Sequence, residues 1–480
     1  MIGSIATFIQ TVFIICKILT FFCPSSSSLS CTLLGCAIVP FSFLTVWQFT
    51  SSLTASTLAG LILLFDIGVI TLNRYILLDP ILLFFISGSV WTMSQFRSVH
   101  SKPFSKVWWI WLAATGAFLS GAIAVKFVGL FVVLYVGLFT IGQLWEVLGD
   151  TSKDFLHFLK HFTARALCLI VLPVLLYMTY FYCHLTILSK SGTGDGFFSS
   201  LFQTTLEGNR LYNATMPREV AYGAVVSLKN HRTGGAYLHS HFHLYPEGMG
   251  AKQQQVTTYA HKDENNRFVI KKWNEEPPNN TDENALVDLV KNGDLVRLEH
   301  QMSRRNIHSH TQPAPVSKRH YQVTGYGENG TGDANDVWRL EIVDGRDGEV
   351  VNAVTSRLKF HHYFVKCVLT CSTKPLPKWG FEQGEVSCNP TVRDPNSMWN
   401  IEDNIFANLP NSSVAELRPG FLSRFIEAHQ VMLKGNAGLK PKEGEMTSRP
   451  WEWPINLRGQ WFSAGDDKTR IYLLGNPVIW

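Results

Sequence analysis

Three polar side chains interrupt the apolar first half of the chain, and their types suit the binding of an anion. Arg74 and Asp79 lie in one short loop, and Lys126 lies near the middle of a long apolar run. Arginine and lysine donate charge-assisted hydrogen bonds to phosphate. We therefore predict that Lys126, Arg74 and Asp79 form a site for the phosphate of a lipid-linked donor.

Each of these residues also has a structural interpretation, which the sequence leaves open. Asp79 precedes Pro80 and could simply cap a helix, since both residue types are favoured at helix starts. Arg74 could lie at a membrane interface with its aliphatic stem in the apolar layer. Lys126 lies either in one deep helix, at a cost of about 2.5 to 3.5 kcal/mol, or at the turn of a tight hairpin.

The elements that carry these residues are long apolar segments. Each approaches the roughly 20 residues that cross a bilayer. The first could instead be a signal peptide, but Lys17 lies inside it rather than before it. We predict an α-helical membrane domain over residues 1–190, with seven spans at 4–22, 31–49, 53–72, 80–96, 107–124, 127–145 and 164–188.

Two sequence features predict the same orientation for this domain. The basic loops at 97–106 and 153–165 would face the cytosol by the positive-inside rule, so the predicted phosphate site and everything after residue 188 would face the other side. Acceptor triplets for N-glycosylation occur only after the last span. They begin at Asn213, Asn279, Asn329 and Asn411.

The second half of the chain contains three copies of one sequence pattern. The His-Ser-His of residues 239–241 recurs at 308–310 and, more weakly, as Thr-Cys-Ser at 370–372. An Asn-x-x-aromatic-x-aliphatic frame keeps the same register, so the period is roughly 60 to 70 residues. Short alternating segments between Gly, Pro, Asn and Asp indicate strands and turns. We predict a closed β-trefoil with repeats at 219–275, 288–344 and 349–406, followed by a segment at 415–480.

Histidines on the predicted hairpins are candidate binding residues. His239, His241 and His243 alternate along one strand, and His308 with His310 repeats the pair, so a zinc site is one interpretation. No thiolate or carboxylate partner recurs with them in the sequence, and we predict no metal. We predict instead that the polar rim binds an acceptor or a glycan, through His239, His241, Gln254, His308 and His310. Trp338 and Trp399 are expected in the barrel core.

The cysteines and the charge complete the picture from composition. In an oxidising compartment we expect a disulfide between Cys367 and Cys388, which flank the strand-like centre of the third repeat and leave Cys371 over.

The hydrophobic content of 46% averages an almost continuously apolar half and a polar half. The formal charge of +5 comes without a long Lys/Arg block, which excludes nucleic-acid binding.

Several of these segments together resemble one enzyme family. They include YILLDPIL at 75–82, VKFVGL at 125–130, RPWEWP at 449–454 and the three repeats, which look like MIR repeats. From about Cys31 to Trp480 the chain is similar to the protein O-mannosyltransferases of the endoplasmic reticulum, and most similar to their second animal subfamily. The combination of motifs is specific, whereas any one alone is weak.

The resemblance implies a GT-C type membrane enzyme with a lumenal trefoil of MIR repeats. Such an enzyme transfers mannose from dolichyl phosphate mannose to Ser or Thr of secretory proteins, with no other cofactor. Lys126 and Arg74 would then lie near the donor phosphate, and the trefoil would handle acceptor or product. The resemblance also implies a heteromer with a first-subfamily relative in the membrane of the endoplasmic reticulum.

The chain departs from the family in two places. Family members carry an acidic motif in a long lumenal loop between their first two spans, where this chain has only CPSSSSLS at 23–30. The sequence also stops where further spans are expected, so we expect an incomplete or alternatively spliced product. The catalytic residue is therefore unknown from the sequence. A catalytically inactive, membrane-tethered MIR binding or regulatory subunit remains the alternative function.

Overall fold

The structure is a computed structural model, and its described residues divide into two compact units. It describes residues 26–74, 77–230, 235–275, 287–439, 447–452 and, towards the end, 455, 457, 459–464, 470–473 and 476. The first predicted span, at 4–22, lies outside the described residues. One unit comprises Met1–Leu188 with Gly435–Trp480, and the other comprises Ser189–Lys434.

The first unit is built mainly from helices, which we number in chain order. Its helices are α1 Ser26–Cys36, α2 Ile38–Thr50, α3 Leu53–Phe65, α4 Ile67–Arg74, α5 Asp79–Ser98, α6 Lys106–Val125, α7 Leu130–Gly149, α8 Phe155–Ala166 and α9 Leu172–Ile187. A π-helical turn, Leu167–Val171, joins α8 to α9 just before Pro173, which has no N–H to donate to the preceding turn.

Four helices in the described residues are long and apolar enough to cross a membrane, or five if the bent pair over α3 and α4 is one span. The pair bends by 60° at Asp66, between Phe65 and Ile67. Helix α5 is 20 residues long but is not among them. Its ends are polar, with Asp79 at the start and Gln95 and Arg97 near the finish, and the buried hydroxyls of Ser89 and Thr92 donate to carbonyls of the same helix.

Helices α5 and α6 pack closely because glycines on each receive aromatic rings from the other. A Cβ atom on Gly88 would lie 2.3 Å from the ring of Phe118, and one on Gly121 would lie 2.3 Å from the ring of Phe85. Small residues permit this close approach. In a membrane such packing matters, because lipid tails are as apolar as the side chains and the hydrophobic effect does not drive helices together. The packing fixes the start of α5 relative to the end of α6, which carry the predicted phosphate site.

The apolar run around Lys126 is two helices rather than one. Lys126 ends α6 in an extended conformation, with φ −161° and ψ 144°, and a 3-10 turn at Phe127–Gly129 leads into α7. Gly129 lies so close to α6 that a Cβ atom there would be 2.4 Å from the carbonyl oxygen of Ala122. Of the two interpretations of Lys126, the structure has the break between helices, and not the single deep helix.

The second unit is a closed β-trefoil, as predicted. Its strands are β2 Val225–Asn230, β3 Tyr237–Leu244, β4 Gln254–Tyr259, β5 Arg267–Lys272, β6 Leu295–His300, β7 Arg305–Pro313, β8 Tyr321–Tyr326, β9 Trp338–Ile342, β10 Leu358–His362, β11 Val368–Pro375, β12 Gly384–Asn389 and β13 Trp399–Ile405.

Each repeat contributes four strands to the trefoil. Repeat 1 contributes β2 to β5, repeat 2 contributes β6 to β9, and repeat 3 contributes β10 to β13. Six strands close a barrel in the order β2, β5, β6, β9, β10, β13. Three hairpins form the other layer, where β4, β8 and β12 pair with one another.

The repeated Asn-x-x-aromatic-x-aliphatic frame places one aromatic side chain of each repeat in the barrel core. Phe268, Trp338 and Trp399 are all fully buried. The indole of Trp338 donates to the carbonyl of Ile307 at 2.8 Å, and that of Trp399 donates to the carbonyl of Leu369 at 3.0 Å. In repeats 2 and 3 the frame therefore links the barrel strand, β9 or β13, to the hairpin of its own repeat.

Shorter elements complete both units. A two-stranded sheet pairs β1 Thr215–Pro217 with β14 Asn411–Ser413, and a short helix, α10, spans Ser200–Gln203. The predicted segment 415–480 is divided in the structure. Its first part, with helix α11 Phe421–Ala437, belongs mostly to the trefoil unit, whereas residues from Gly435 on belong with the helical unit, including the hairpin of β15 Gln460–Ala464 and β16 Arg470–Leu473.

A disulfide joins Cys367 to Cys388, the pair expected from the sequence. The two residues lie beside β11 and in β12, which pair through Leu369 and Cys388. Cys371 is a buried thiol outside this disulfide, and its Sγ donates to the carbonyl of Asn396 at 3.8 Å.

Candidate functional site

Lys126 and Asp79 form an ion pair where the end of α6 lies beside the start of α5. The ammonium Nζ of Lys126 donates to Oδ1 of Asp79 at 3.2 Å. The two side chains are 48% and 36% exposed, so a further ligand can reach the ammonium group. A pair this exposed contributes about 0 to 1 kcal/mol to stability. The pair therefore adds little to the stability of the fold.

Asp79 was also a candidate helix cap, and the structure gives it a different contact. Asp79 is the first residue of α5, with Pro80 next, and Leu78 at the cap position makes no capping hydrogen bond through its side chain. The carboxylate faces Lys126 instead.

The segment before Asp79 is held by α1. The hydroxyl of Thr32 donates to the carbonyl of Asn73 at 3.1 Å, and Gly35 leaves room for the side chain of Asn73. Arg74 ends α4, but its side chain lies outside the described residues. The structure thus brings Lys126 and Asp79 together across 47 residues and leaves the contact of Arg74 undescribed.

The trefoil histidines form two related polar clusters. In repeat 1, Nδ1 of His239 lies 2.7 Å from Oδ1 of Asn266 and 3.5 Å from Oδ1 of Asp263. In repeat 2, Nδ1 of His308 lies 2.8 Å from Oδ1 of Asp336 and 3.5 Å from Oδ1 of Asp333. A tyrosine ring packs on each histidine, Tyr259 on His239 and Tyr326 on His308.

Contrary to the expectation from the sequence, a carboxylate lies beside each of the two histidines. Ligand atoms of His308, Asp333 and Asp336 all lie within 4.8 Å of one another, so the cluster could accept an ion. The geometry does not require one, because Asp333 and Asp336 form a reciprocal capping box on a 3-10 turn and His308 donates to Asp336. In the third repeat Thr370 replaces the histidine and donates to Asp394.

Several predicted binding residues have structural roles instead. Gln254 is 1% exposed, and its amide donates to the hydroxyls of Ser240 and Ser303. His239 and His308 are also buried and hydrogen-bonded within their clusters. Of the five predicted rim residues, His241 and His310 are half-buried, and the nitrogen atoms of both rings lie inside the protein.

Burial keeps several trefoil histidines neutral. It lowers the pKa of His241 to about 4, with the neighbouring His239 and His243 adding to the effect. It lowers the pKa of His239 and His310 as well, against the opposing effects of nearby Asp263 and Asp333. Neutral imidazole offers one donor and one acceptor, which suits the binding of hydroxyl groups.

The predicted glycosylation acceptors are accessible where they are described. Asn213, Asn329 and Asn411 are exposed, and Asn279 lies outside the described residues. Asn213 and Arg418 are in contact, since Nη2 of Arg418 lies 3.4 Å from Oδ1 of Asn213.

A buried ion pair in the trefoil was not predicted from the sequence. Lys229 and Glu402 are each 5% exposed, and Nζ of Lys229 lies 2.8 Å from Oε2 of Glu402. The same carboxylate accepts hydrogen bonds from Tyr237 and Ser200. Lys229 lies on β2 and Glu402 on the paired strand β13. The two strands are far apart in the sequence, and the sequence alone does not show that they pair.

Family models match three consecutive parts of the chain. The dolichyl-phosphate-mannose-protein mannosyltransferase model matches residues 25–189, the MIR domain model matches 236–410, and a model of the C-terminal four-span region of protein O-mannosyltransferases matches 421–480. The first of these covers the Lys126–Asp79 pair, and the second covers the trefoil from β3 on.

Curated relatives match nearly all of the chain. Protein O-mannosyl-transferase 2 of Drosophila melanogaster is 58% identical over 94% of this chain and 58% of its own length, and that of Danio rerio is 53% identical over 94% and 59%. A Saccharomyces cerevisiae dolichyl-phosphate-mannose–protein mannosyltransferase is 36% identical over 92% and 58%. The chain therefore spans less than two thirds of the length of these relatives.

A solved structure has the same architecture. A Saccharomyces cerevisiae protein O-mannosyltransferase complex bound to the sugar donor matches 95% of this chain and 62% of its own chain, with a TM-score of 0.83 and 33% identity. A GT-C type membrane domain with a MIR trefoil is thus the fold of this chain, and the chain belongs to the dolichyl-phosphate-mannose–protein mannosyltransferase family.

Proposed function

We propose that this chain is a protein O-mannosyltransferase, which transfers mannose from dolichyl phosphate mannose to Ser or Thr of secretory-pathway proteins. The observation that carries the proposal is the exposed Lys126–Asp79 pair within the segment that the mannosyltransferase model matches. The names of the relatives and the donor-bound structure support the same donor.

Lys126 binds the donor phosphate in this account. One contact of its ammonium group is to Asp79, and the exposed side chain leaves room for a phosphate oxygen. As the bond between mannose and phosphate breaks, charge grows on the leaving dolichyl phosphate, and a fixed cation stabilises it. Asp79 would repel the phosphate, so its role is to position Lys126. Arg74 is a second cation for the same phosphate.

The trefoil holds the acceptor or product at its rim, where His241 and His310 are half-buried. His239, His308 and Gln254 support it from the interior. The protein works in the membrane of the endoplasmic reticulum with the trefoil on the lumenal side, as a heteromer with a first-subfamily relative. The occurrence of the yeast homologue in a complex supports a heteromer.

A transfer assay tests the proposal. Membranes that contain the full chain with a first-subfamily partner are given labelled dolichyl phosphate mannose and a Ser/Thr peptide. We expect Lys126→Ala to lower transfer by roughly 10- to 100-fold, the value of one charge-assisted hydrogen bond. Lys102→Ala, in another loop of the same unit, is the matched control. Equal transfer by both variants would refute the role of Lys126.

A second candidate function is a membrane-tethered MIR subunit without catalysis. This function is favoured by the composition of the segment at 23–30, which holds no carboxylate that could take a proton from the acceptor hydroxyl. Donor binding without transfer by the wild-type chain, with its partner active, would identify this second function.

A further inference from the structure

Gly129 lies three residues after Lys126, in the 3-10 turn that leads into α7, and it is buried against the last turn of α6. A Cβ atom on Gly129 would lie 2.5 Å from the carbonyl carbon of Ala122 and 2.9 Å from the backbone nitrogen of Ile123, and closer still to the carbonyl oxygen of Ala122. All three are backbone atoms. No rotation of a side chain could therefore make room for a methyl group at this position.

The backbone conformation of Gly129 does not explain why the residue is a glycine. Its φ of −56° and ψ of −18° lie in the right-handed helical region, which every L residue adopts. Three other glycines of α7 have no such close neighbour, because a Cβ atom on Gly137, Gly142 or Gly149 would have no heavy atom of another described element within 4 Å. The close approach to α6 is therefore what excludes a side chain at Gly129.

The carbonyl of Ala122 that Gly129 approaches also holds Lys126. The N–H of Lys126 donates to this carbonyl at 3.3 Å, and the N–H of Gly129 donates to the carbonyl of Lys126 at 2.8 Å. Hydrogen bonds thus fix the backbone on both sides of the Lys126 Cα atom. They set the extended conformation of Lys126, and with it the direction in which its side chain leaves the end of α6.

The end of α6 cannot shift to make room for a side chain at position 129. Ala122 and Val125 are fully buried, and α5 packs a phenyl ring against the same turn. A side chain would therefore push the start of α7 away from α6. The torsion angles that can absorb this movement are those of residues 126–128, so Lys126 would turn away from Asp79.

We propose that Gly129 is a positioning residue for the donor phosphate. Because it lacks a side chain, α7 starts directly against the last turn of α6, and this holds the ammonium group of Lys126 beside Asp79 and open to the phosphate. The inference rests on the proposed function of Lys126 and extends it to a buried residue that would not touch the donor. A shift of about 1 Å in a binding group can cost roughly 100-fold in activity.

Carbodiimide cross-linking of the full chain in nanodiscs tests this geometry without the donor. The reagent joins an amine to a carboxylate that it contacts, and both side chains of the Lys126–Asp79 pair are accessible to it. We expect an amide link between the two residues in the wild type, located by mass spectrometry. Gly129→Ala should lower its yield at least roughly fivefold. The matched control is Gly137→Ala in the same helix, which should leave the yield unchanged.

Retention of labelled dolichyl phosphate gives a second readout, which a purely structural role would not reproduce. Gly129→Ala should weaken retention roughly tenfold in the wild-type background, but less than about twofold when Lys126→Ala is already present. Equal losses in the two backgrounds would overturn the inference, because the glycine would then act without the lysine.

Two cross-linking results would also overturn it: no link between Lys126 and Asp79 in the wild type, or an equal yield in Gly129→Ala. If Gly129→Ala does not fold, hydrogen exchange of the wild type decides instead. The amides of Lys126 and Gly129 should then be as protected as those of α6, and rapid exchange would reject a rigid break. A wild type that does not retain dolichyl phosphate, while Gly129→Ala still lowers the cross-link, counts against the proposed function and leaves the positioning role in place.

Discussion

The first prediction concerns acid destabilisation of the trefoil through His300. This residue is fully buried at the end of β6, where Nε2 lies 3.2 Å from the carbonyl oxygen of Asn265. Its Nδ1 lies 2.8 Å from the hydroxyl oxygen of Ser303 and accepts from the backbone N–H of Ser303 at an N···N distance of 3.3 Å. Nε2 must therefore donate and Nδ1 must accept, which only the neutral ring can do. Protonation at Nδ1 would set a donor against the N–H of Ser303.

The magnitude follows from the two protonation equilibria. Burial, together with the nearby His239 and His241, lowers the pKa of His300 to about 4 from 6.5, against the opposing effects of the Asn265 carbonyl and Asp263. Between pH 6.5 and pH 4 His300 binds a proton in the unfolded chain but not in the folded one. The contribution of neutral His300 to the free energy of unfolding is therefore fully present above pH 6.5 and is lost as the pH falls towards 4. At pH 5 the loss from His300 alone is about 2 kcal/mol.

Hydrogen exchange of the full chain in nanodiscs measures this loss. Opening free energies of amides in β5 and β6 are compared at pH 7.5 and 5 after correction for intrinsic exchange. We expect His300→Gln to reduce the loss between these pH values by about 2 kcal/mol. His243→Gln, at an exposed histidine, is the matched control. An identical pH dependence in wild type and His300→Gln would refute the assignment.

Three further predictions concern the same unit. Lys229→Met removes the nearer of two lysines that face the buried carboxylate of Glu402, with Lys262 remaining at 3.9 Å, and should lower the free energy of unfolding by at most about 3 to 5 kcal/mol. Adding Glu402→Gln should restore most of this loss in urea titrations. Replacing Cys367 and Cys388 by alanine opens a loop with a sequence separation of 21 and should cost about 3 kcal/mol, and an unchanged urea midpoint would contradict this. A fragment of residues 189–434 should fold alone, with a β-rich circular dichroism spectrum and one cooperative transition, whereas a random-coil spectrum would reject its independence.

The trefoil could be predicted because its repeats carry local signals. The frames that begin at Asn265, Asn335 and Asn396 follow aspartates that cap 3-10 turns, and each aromatic residue of the frame enters the core. These features depend on neighbours in sequence. The roles of Gln254, His239 and His308 could not be predicted, because strand alternation does not distinguish a buried rim from an exposed one.

The ion pair at the proposed phosphate site could not be predicted in its geometry. Residue types indicated an anion site, yet a single sequence cannot show that Lys126 faces Asp79 across 47 residues. That contact depends on the glycine and phenylalanine packing of α5 on α6. The break at Lys126 was one of two alternatives, because an apolar run carries no signal for a turn when the turn itself is apolar.

The most direct test of the phosphate site is donor binding itself. Retention of labelled dolichyl phosphate by the full chain in nanodiscs is measured for wild type, Lys126→Ala and Lys126→Arg. We expect at least a roughly tenfold weaker affinity with alanine and near-normal affinity with arginine, because a cation at the break between α6 and α7 holds the phosphate. Equal affinity of the wild type and Lys126→Ala would contradict the account.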